Sequence, residues 1–384
     1  VLDPVRGVLE AAVGLLVGGL VAYGLALLVT LFGSPRYLEH AVLNLGNFLL
    51  LAPPVAAPVL MLGAARAFEH FDRKLVELRY WDFTCQEAGE KAYKSGDYEK
   101  AIVYCTQALE ENPGNEMALW YRARSHHRRK QYGLAGKDYG RLVEWQPRDK
   151  ELLANACSAR GDVCRMQGDL GAAIADYDRA LGLKPNNERA LASRGDTWRQ
   201  MGRYDEAQAD LTHALEFKPD SERALASRGV TYRQMKRYDE ALSDLTRALE
   251  LKPDYEQALA NRGITYRLMK RYEKALADLT RALELRPDYE QALVHRGITY
   301  RRMERYQEAL ADLTAALEVN PDSAWACYWM ARVFALMGQS TDAFMWLETS
   351  VQTDGRYRQL AQKNTDFDGM RSEPAFQVLV RPPE

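Results

Sequence analysis

Residues 188–221 read ERALASRGDTWRQMGRYDEAQADLTHALEFKPDS, and residues 222–255 read ERALASRGVTYRQMKRYDEALSDLTRALELKPDY. These are two copies of one 34-residue unit, so the chain reads as a repeat array before any single element is considered. Outward from them, Pro185, Pro219, Pro253, Pro287 and Pro321 keep the same step, as do Pro113 and Pro147. The one break is the 38 residues from Pro147 to Pro185. Because Gly161, Gly195, Gly229, Gly263 and Gly297 stay in phase, the four extra residues precede Gly161. Four residues make about one helical turn, which predicts a lengthened first helix or turn at 150–153.

Ala101, Ala135, Ala173, Ala207, Ala241, Ala275, Ala309 and Ala343 mark eight equivalent positions. Each unit reads as two amphipathic helices, A and B. Gly195 and Ala207 are small enough for the paired helices to approach, and Pro219 stops the second one. A single hairpin cannot bury its apolar faces alone, and stacked neighbours complete the core.

A 34-residue unit with Leu191, Gly195, Trp198, Ala207, Leu211, Ala214 and Pro219 in this order resembles the tetratricopeptide repeat, and the match recurs eight times over residues 82–357. The resemblance implies an all-α fold, a right-handed superhelical α-solenoid of eight helical hairpins. The units run 82–115, 116–149, 154–187, 188–221, 222–255, 256–289, 290–323 and 324–357, with 150–153 inserted. Residues 358–384 lose the period but keep Leu360, Phe367, Met370, Phe376, Leu379 and Val380, as a capping segment over repeat 8 would. The run from Asp366 to Phe376 looks similar to tails that follow bacterial repeats of this kind.

The first 65 residues differ in kind. Ala11 to Phe32 is 22 uncharged residues, about the thickness of a bilayer core when helical. A second uncharged stretch, 41–65, contains Pro53, Pro54 and Pro58 and reads as kinked or partly re-entrant. Together they predict a two-helix transmembrane hairpin over 1–65, followed by a juxtamembrane linker over 66–81. Arg66, Arg73, Lys74 and Arg79 follow it, against Arg36 alone in the turn. By the positive-inside tendency the expected location is multi-pass in the cell membrane, of bacterial cytoplasmic type, with the repeats on the cytoplasmic side.

Counting each unit from its first residue, site 7 is Arg122, Arg160, Arg194, Arg228, Arg262 and Arg296 in repeats 2 to 7. Site 23 in the same repeats is Asp138, Asp176, Asp210, Asp244, Asp278 and Asp312. Repeats 1 and 8 lack both. Joint presence and joint absence predict an ion pair within each hairpin, since an unpaired, partly buried Arg is costly.

A net charge of −2 leaves no basic excess to neutralise phosphates, so nucleic-acid binding is not expected. The six histidines have no HExxH or other telling companions, and no phosphate-binding loop or nucleophile elbow is present. All five cysteines occupy core sites of the unit without CxxC spacing, as small hydrophobes would. The expectation is a binding protein, not an enzyme, with no cofactor and no metal.

In the family that the repeats resemble, helix A lines the binding groove, chiefly at sites 2, 5, 6, 9, 12 and 13. Site 12 is Arg165, Arg199, Arg233, Arg267 and Arg301, a ladder that suits an acidic peptide or a carboxylate-bearing segment. The alternative is a solvated row balanced by Glu188, Glu222, Glu256 and Glu290, and the residues leave both open. Repeats 2 and 8 depart from the near-identical middle at groove positions: Met117, Trp120, Tyr121, Arg124, His127 and Arg128 in one, Trp325, Tyr328, Trp329 and Arg332 in the other. Trp, Tyr and Arg are frequent interface anchors, although a terminal unit also uses aromatics to pack against a cap. The combined expectation is a membrane-tethered scaffold or assembly factor for a protein or peptide partner. The alternative is a structural accessory subunit integrated into a larger membrane complex through its two spans.

Overall fold

The computed structural model describes residues 84–381. The expected transmembrane hairpin over 1–65 and the linker over 66–81 lie outside the described residues. Among the described residues no helix is long and apolar enough to cross a membrane. The repeat helices have 13 to 17 residues. At about 1.5 Å per residue they reach roughly 20–25 Å, short of a hydrocarbon core of about 30 Å, and they carry charged side chains throughout. The expectation of a multi-pass membrane location with the repeats on the cytoplasmic side is therefore corrected.

The described residues are all-α, with no strand among them. Two compact units divide the chain, one ending at Leu142 and the other starting at Val143. The described part of the first contains a helix over 84–94, helix B of repeat 1 (Tyr98–Glu111), helix A of repeat 2 (Glu116–Arg128) and most of helix B of repeat 2 (Tyr132–Trp145).

In the second unit, helix A and helix B alternate through repeats 3 to 8. Helix A of repeat 3 is Lys150–Met166, 17 residues against 13 in repeats 4 to 8. The insertion is thus an added turn at the helix start, where the Asp149 carboxylate accepts the N–H groups of Glu151 and Leu152. Helix A of repeats 4 to 8 is Glu188–Gln200, Glu222–Gln234, Glu256–Leu268, Glu290–Arg302 and Ala324–Leu336. Their partners are Tyr204–Phe217, Tyr238–Leu251, Tyr272–Leu285, Tyr306–Val319 and Ser340–Thr353.

Local chemistry sets where these helices stop. After Gln200, Gly202 turns to φ 77°, its N–H donates to Arg199 and that of Arg203 to Trp198. This left-handed ending satisfies carbonyls that the helix itself leaves unpaired. Site 15 has positive φ in every repeat, as Gly96, Lys130, Gly168, Gly202, Lys236, Lys270, Glu304 and Gly338. Helix B ends before proline for a second reason: Lys218, ahead of Pro219, is forced out of the helical region to φ −133°.

Close helix pairing explains the small residues. A Cβ on Gly195 would lie 2.8 Å from Leu211 Cγ and 3.2 Å from the Ala207 carbonyl. The eight period-marking alanines are completely buried. Beyond repeat 8, the tail folds as Arg356–Lys363, a 3-10 turn Thr365–Met370 and Pro374–Val380. Phe367, Met370, Phe376 and Val380 pack on Tyr328, Ala331, Leu347 and Val351 of repeat 8. Leu360 stays half exposed and takes no part in that core.

Candidate functional site

All six expected Arg and Asp pairs form inside their hairpins, and each is bidentate. Arg262, for example, donates Nε to Asp278 Oδ2 at 2.7 Å and Nη2 to Oδ1 at 2.8 Å. The same fork joins Arg122 to Asp138, Arg160 to Asp176, Arg194 to Asp210, Arg228 to Asp244 and Arg296 to Asp312. The carboxylates are buried, and their hydrogen bonds hold the guanidinium pKa of Arg228, Arg262 and Arg296 above its ordinary value. These arginines hold the hairpins together.

Site 12 lies five residues further along helix A, about 140° round its axis, and does not share those carboxylates. Along the row the surroundings change. Arg165 lies beside Tyr177 and Asp162, but Asp162 receives Tyr177 Oη at 2.9 Å and Arg189 Nη2 at 2.7 Å. Arg199 and Arg223 each stand 3.6 Å from Asp196. In repeats 5, 6 and 7 the position of Asp196 is taken by Val230, Ile264 and Ile298.

Arg233 and Arg267 consequently have no carboxylate partner among the described residues. Arg233 donates only to the Asn261 side-chain oxygen, at 3.2 Å, and the buried Nε atoms of both have no hydrogen-bond partner. Burial pushes both guanidinium groups down to about 10, compounded by the charge of Arg199 at Arg233 and by those of Arg233 and Arg302 at Arg267. His295, at site 6 of repeat 7, lies against the same pair. Burial and the cations Arg267 and Arg233 hold its imidazole neutral, well below its ordinary range. Its ring meets Trp325 edge-on at 5.0 Å.

At the end of the row the pattern reverses. Asp366, from the 3-10 turn of the tail, bonds Arg301 and also Arg332, the latter at 2.7 Å. Arg332 stacks on Trp329 at 3.8 Å, and Arg301 lies over the same ring at 5.6 Å. Tyr328 is buried between Tyr357 at 4.9 Å and Phe367 at 6.1 Å. The structure thus joins Arg301, Trp329 and Arg332 into one cluster under the cap, with Trp325 beside His295.

The repeat 2 residues form a separate cluster within the first unit. Trp120 and Tyr121 are buried, against Tyr139 at 5.7 Å and Tyr93 at 5.7 Å. Arg124 covers both Tyr93, at 4.4 Å, and Trp120, at 5.3 Å. Burial and a hydrogen bond to Glu90 push the Tyr121 phenol up to about 12. His127 abuts Tyr132 and Tyr139, Met117 is half-buried and Arg128 exposed.

Two contributors to the site escaped sequence reasoning. Asp366 lies in the aperiodic tail, 65 residues from Arg301, and its only signal was a carboxylate next to a cap-forming Phe367. His295 replaces Ser193, Ser227 and Asn261 at the same site of earlier repeats, a departure from the copies that was visible in the sequence. Two of the glutamates expected to balance the row bond elsewhere: Glu188 accepts from Ser221 and Glu290 from Ser323, each the residue that caps the next helix A. Among the described residues no group of three His, Cys, Asp or Glu is placed to hold a metal ion.

Four matches to the tetratricopeptide repeat family cover residues 87–149, 165–229, 220–288 and 290–323. Mouse serine/threonine-protein phosphatase 5 is 33% identical over 98 residues, 26% of this chain and 19% of that protein. Human RNA polymerase II-associated protein 3 is 31% identical over 105 residues, 27% of this chain and 15% of that one. The chain therefore spans under a fifth of the length of these curated relatives, and the phosphatase match covers only its tetratricopeptide part.

Among solved structures, the Cut9–Hcn1 hetero-tetramer of APC/C matches 74% of this chain and 53% of its own, with a TM-score of 0.58 at 15% identity. A tetratricopeptide repeat protein from Parabacteroides merdae matches 69% and 99%, with a TM-score of 0.54 at 18% identity. Both likenesses concern the fold. With the repeat matches distributed through the array, the chain belongs to the tetratricopeptide repeat family.

Proposed function

We propose that this protein is a scaffold that holds an acidic segment of a protein partner against the helix A wall of repeats 4 to 7. Protein interaction is the general role of the fold; the acidic character of the partner is our reading. The observation that carries it is the contrast between two arginine rows on the same helices. Every site 7 arginine of repeats 2 to 7 is neutralised within its hairpin, whereas Arg233 and Arg267 are half-buried cations without a carboxylate among the described residues. Uncompensated charge in a recess is unfavourable, and an incoming carboxylate offsets it with charge-assisted hydrogen bonds.

Fluorescence anisotropy with a labelled poly-glutamate peptide tests this, with a poly-glutamine peptide as control. Binding should weaken as salt rises and fall when Arg233 and Arg267 are both changed to Gln. Equal retention of the two peptides by the unaltered chain would sink the proposal.

A further inference from the structure

Two adjacent rungs of the arginine row have no carboxylate beside them among the described residues, whereas Arg165 lies beside Asp162. Arg199 shares Asp196 with Arg223, and Arg301 shares Asp366 with Arg332. Arg233 and Arg267 remain between them. The chain itself displays how such a cation is matched here: Asp366 places one carboxylate between Arg301 and Arg332, beside the indole of Trp329.

Spacing follows from the repeat. Arg233 and Arg267 hold the same site on consecutive A helices, which touch, and packed helix axes stand roughly 8–10 Å apart. An extended chain in the polyproline II conformation has three residues per turn and rises about 3.1 Å per residue, so side chains three residues apart share one face and stand about 9 Å apart, which covers that step. A helical ligand would need six or seven residues, and its girth of about 10–12 Å keeps its carboxylates from side chains recessed between helices.

Resting on the acidic-partner reading, we infer that Arg233 and Arg267 together accept a segment in the extended, polyproline II conformation that carries two carboxylate side chains three residues apart. One seats on each rung, as Asp366 does on Arg301. His295 Nδ1, buried and without a partner, lies beside both guanidinium groups and supplies a polar contact to the same segment.

The test titrates the full chain into labelled glycine-serine peptides that carry two glutamates at i and i+1, i and i+3, or i and i+7, with the glutamine counterpart of each. The i,i+3 peptide should bind about tenfold tighter than the other two acidic ones, a difference worth about 1.4 kcal/mol. Arg233→Gln or Arg267→Gln, checked for folding by circular dichroism, should erase that preference. Arg247→Gln on helix B of repeat 5 should leave it intact. A third glutamate at i+6 should add less than about twofold, since the flanking rungs already hold carboxylates.

Equal binding of all acidic spacings, above glutamine, overturns the inference and leaves the acidic site standing. A preference for i,i+7 overturns the extended conformation. No advantage of glutamate over glutamine overturns the acidic site as well.

Discussion

Arg228 grips Asp244 with two parallel hydrogen bonds, Nε to Oδ2 at 2.7 Å and Nη2 to Oδ1 at 2.9 Å, and reaches with Nη1 to Thr212 Oγ1 in the preceding repeat at 3.3 Å. One side chain therefore ties helix A to its own helix B and to the repeat before it. Removing the buried carboxylate alone, with Asp244→Ala, strands a half-buried cation and should cost about 3 kcal/mol. Replacing both residues by Leu should cost clearly less. Amide exchange across Tyr238–Leu251 measures both, and equal losses would contradict this account of the pair.

Lys236 has φ 63° at the position where Gly202 has φ 77°. Lysine is strained there and glycine is not, so Lys236→Gly should stabilise repeat 5 by about 0.5–1 kcal/mol. Gly202→Ala should do the reverse by a similar amount, because no atom stands within 4 Å of the added Cβ and only the backbone objects. Chemical denaturation of the two variants checks both signs.

Asp366→Asn removes the carboxylate shared by Arg301 and Arg332, side chains only 5% and 9% exposed. The cap should loosen by about 3 kcal/mol. Trp329, in contact with both arginines, is the natural reporter. Its fluorescence should change at lower urea than in the unaltered chain; an unshifted midpoint would show that apolar packing alone holds the tail.

His295 makes stability depend on pH. In the folded chain burial, then Arg267 and Arg233, keep the ring neutral well below its ordinary range; unfolded, it takes up a proton near about 6.5. The unfolded state thus binds more protons below that value, and the folded state loses stability as pH falls through it, by at most about 1.4 kcal/mol per pH unit. His295→Asn should flatten the decline between pH 7 and pH 5 in denaturation midpoints. An unchanged slope would assign the decline to other groups.

The hairpins were legible because packing imposes the same residue at the same place in each copy. Ala207 and its equivalents must be small, Pro219 ends helix B, and Arg228 appears only where Asp244 does. Even the added turn of repeat 3 follows from where the phase slips, between Pro147 and Gly161. The electrostatics of site 12 was not legible in this way. Its neutralising groups do not keep the period: Asp196, three residues before Arg199, gives way to Val230, Ile264 and Ile298, Asp366 lies far along the chain, and Glu188 is diverted to Ser221. Exposure also resists periodicity: Trp120 occupies a groove site by its number, yet it packs on Tyr139.

The reach of Arg228 to Thr212 recurs as Arg262 to Thr246 and Arg296 to Thr280. Every seam in this stretch is therefore cut to one template. Excision of residues 256–289 would bring Arg296 against Thr246 and leave Tyr255 ahead of Glu290, with Gln291 where Gln257 stood, a seam of the same residue types as the one it replaces. Such a stretch can be shortened or lengthened by unequal crossover in whole-module steps without leaving a misfit. Repeat 4, which carries Asp196, and repeats 7 and 8, whose Arg301 and Arg332 meet Asp366 of the tail, have charges matched individually and do not exchange in this way.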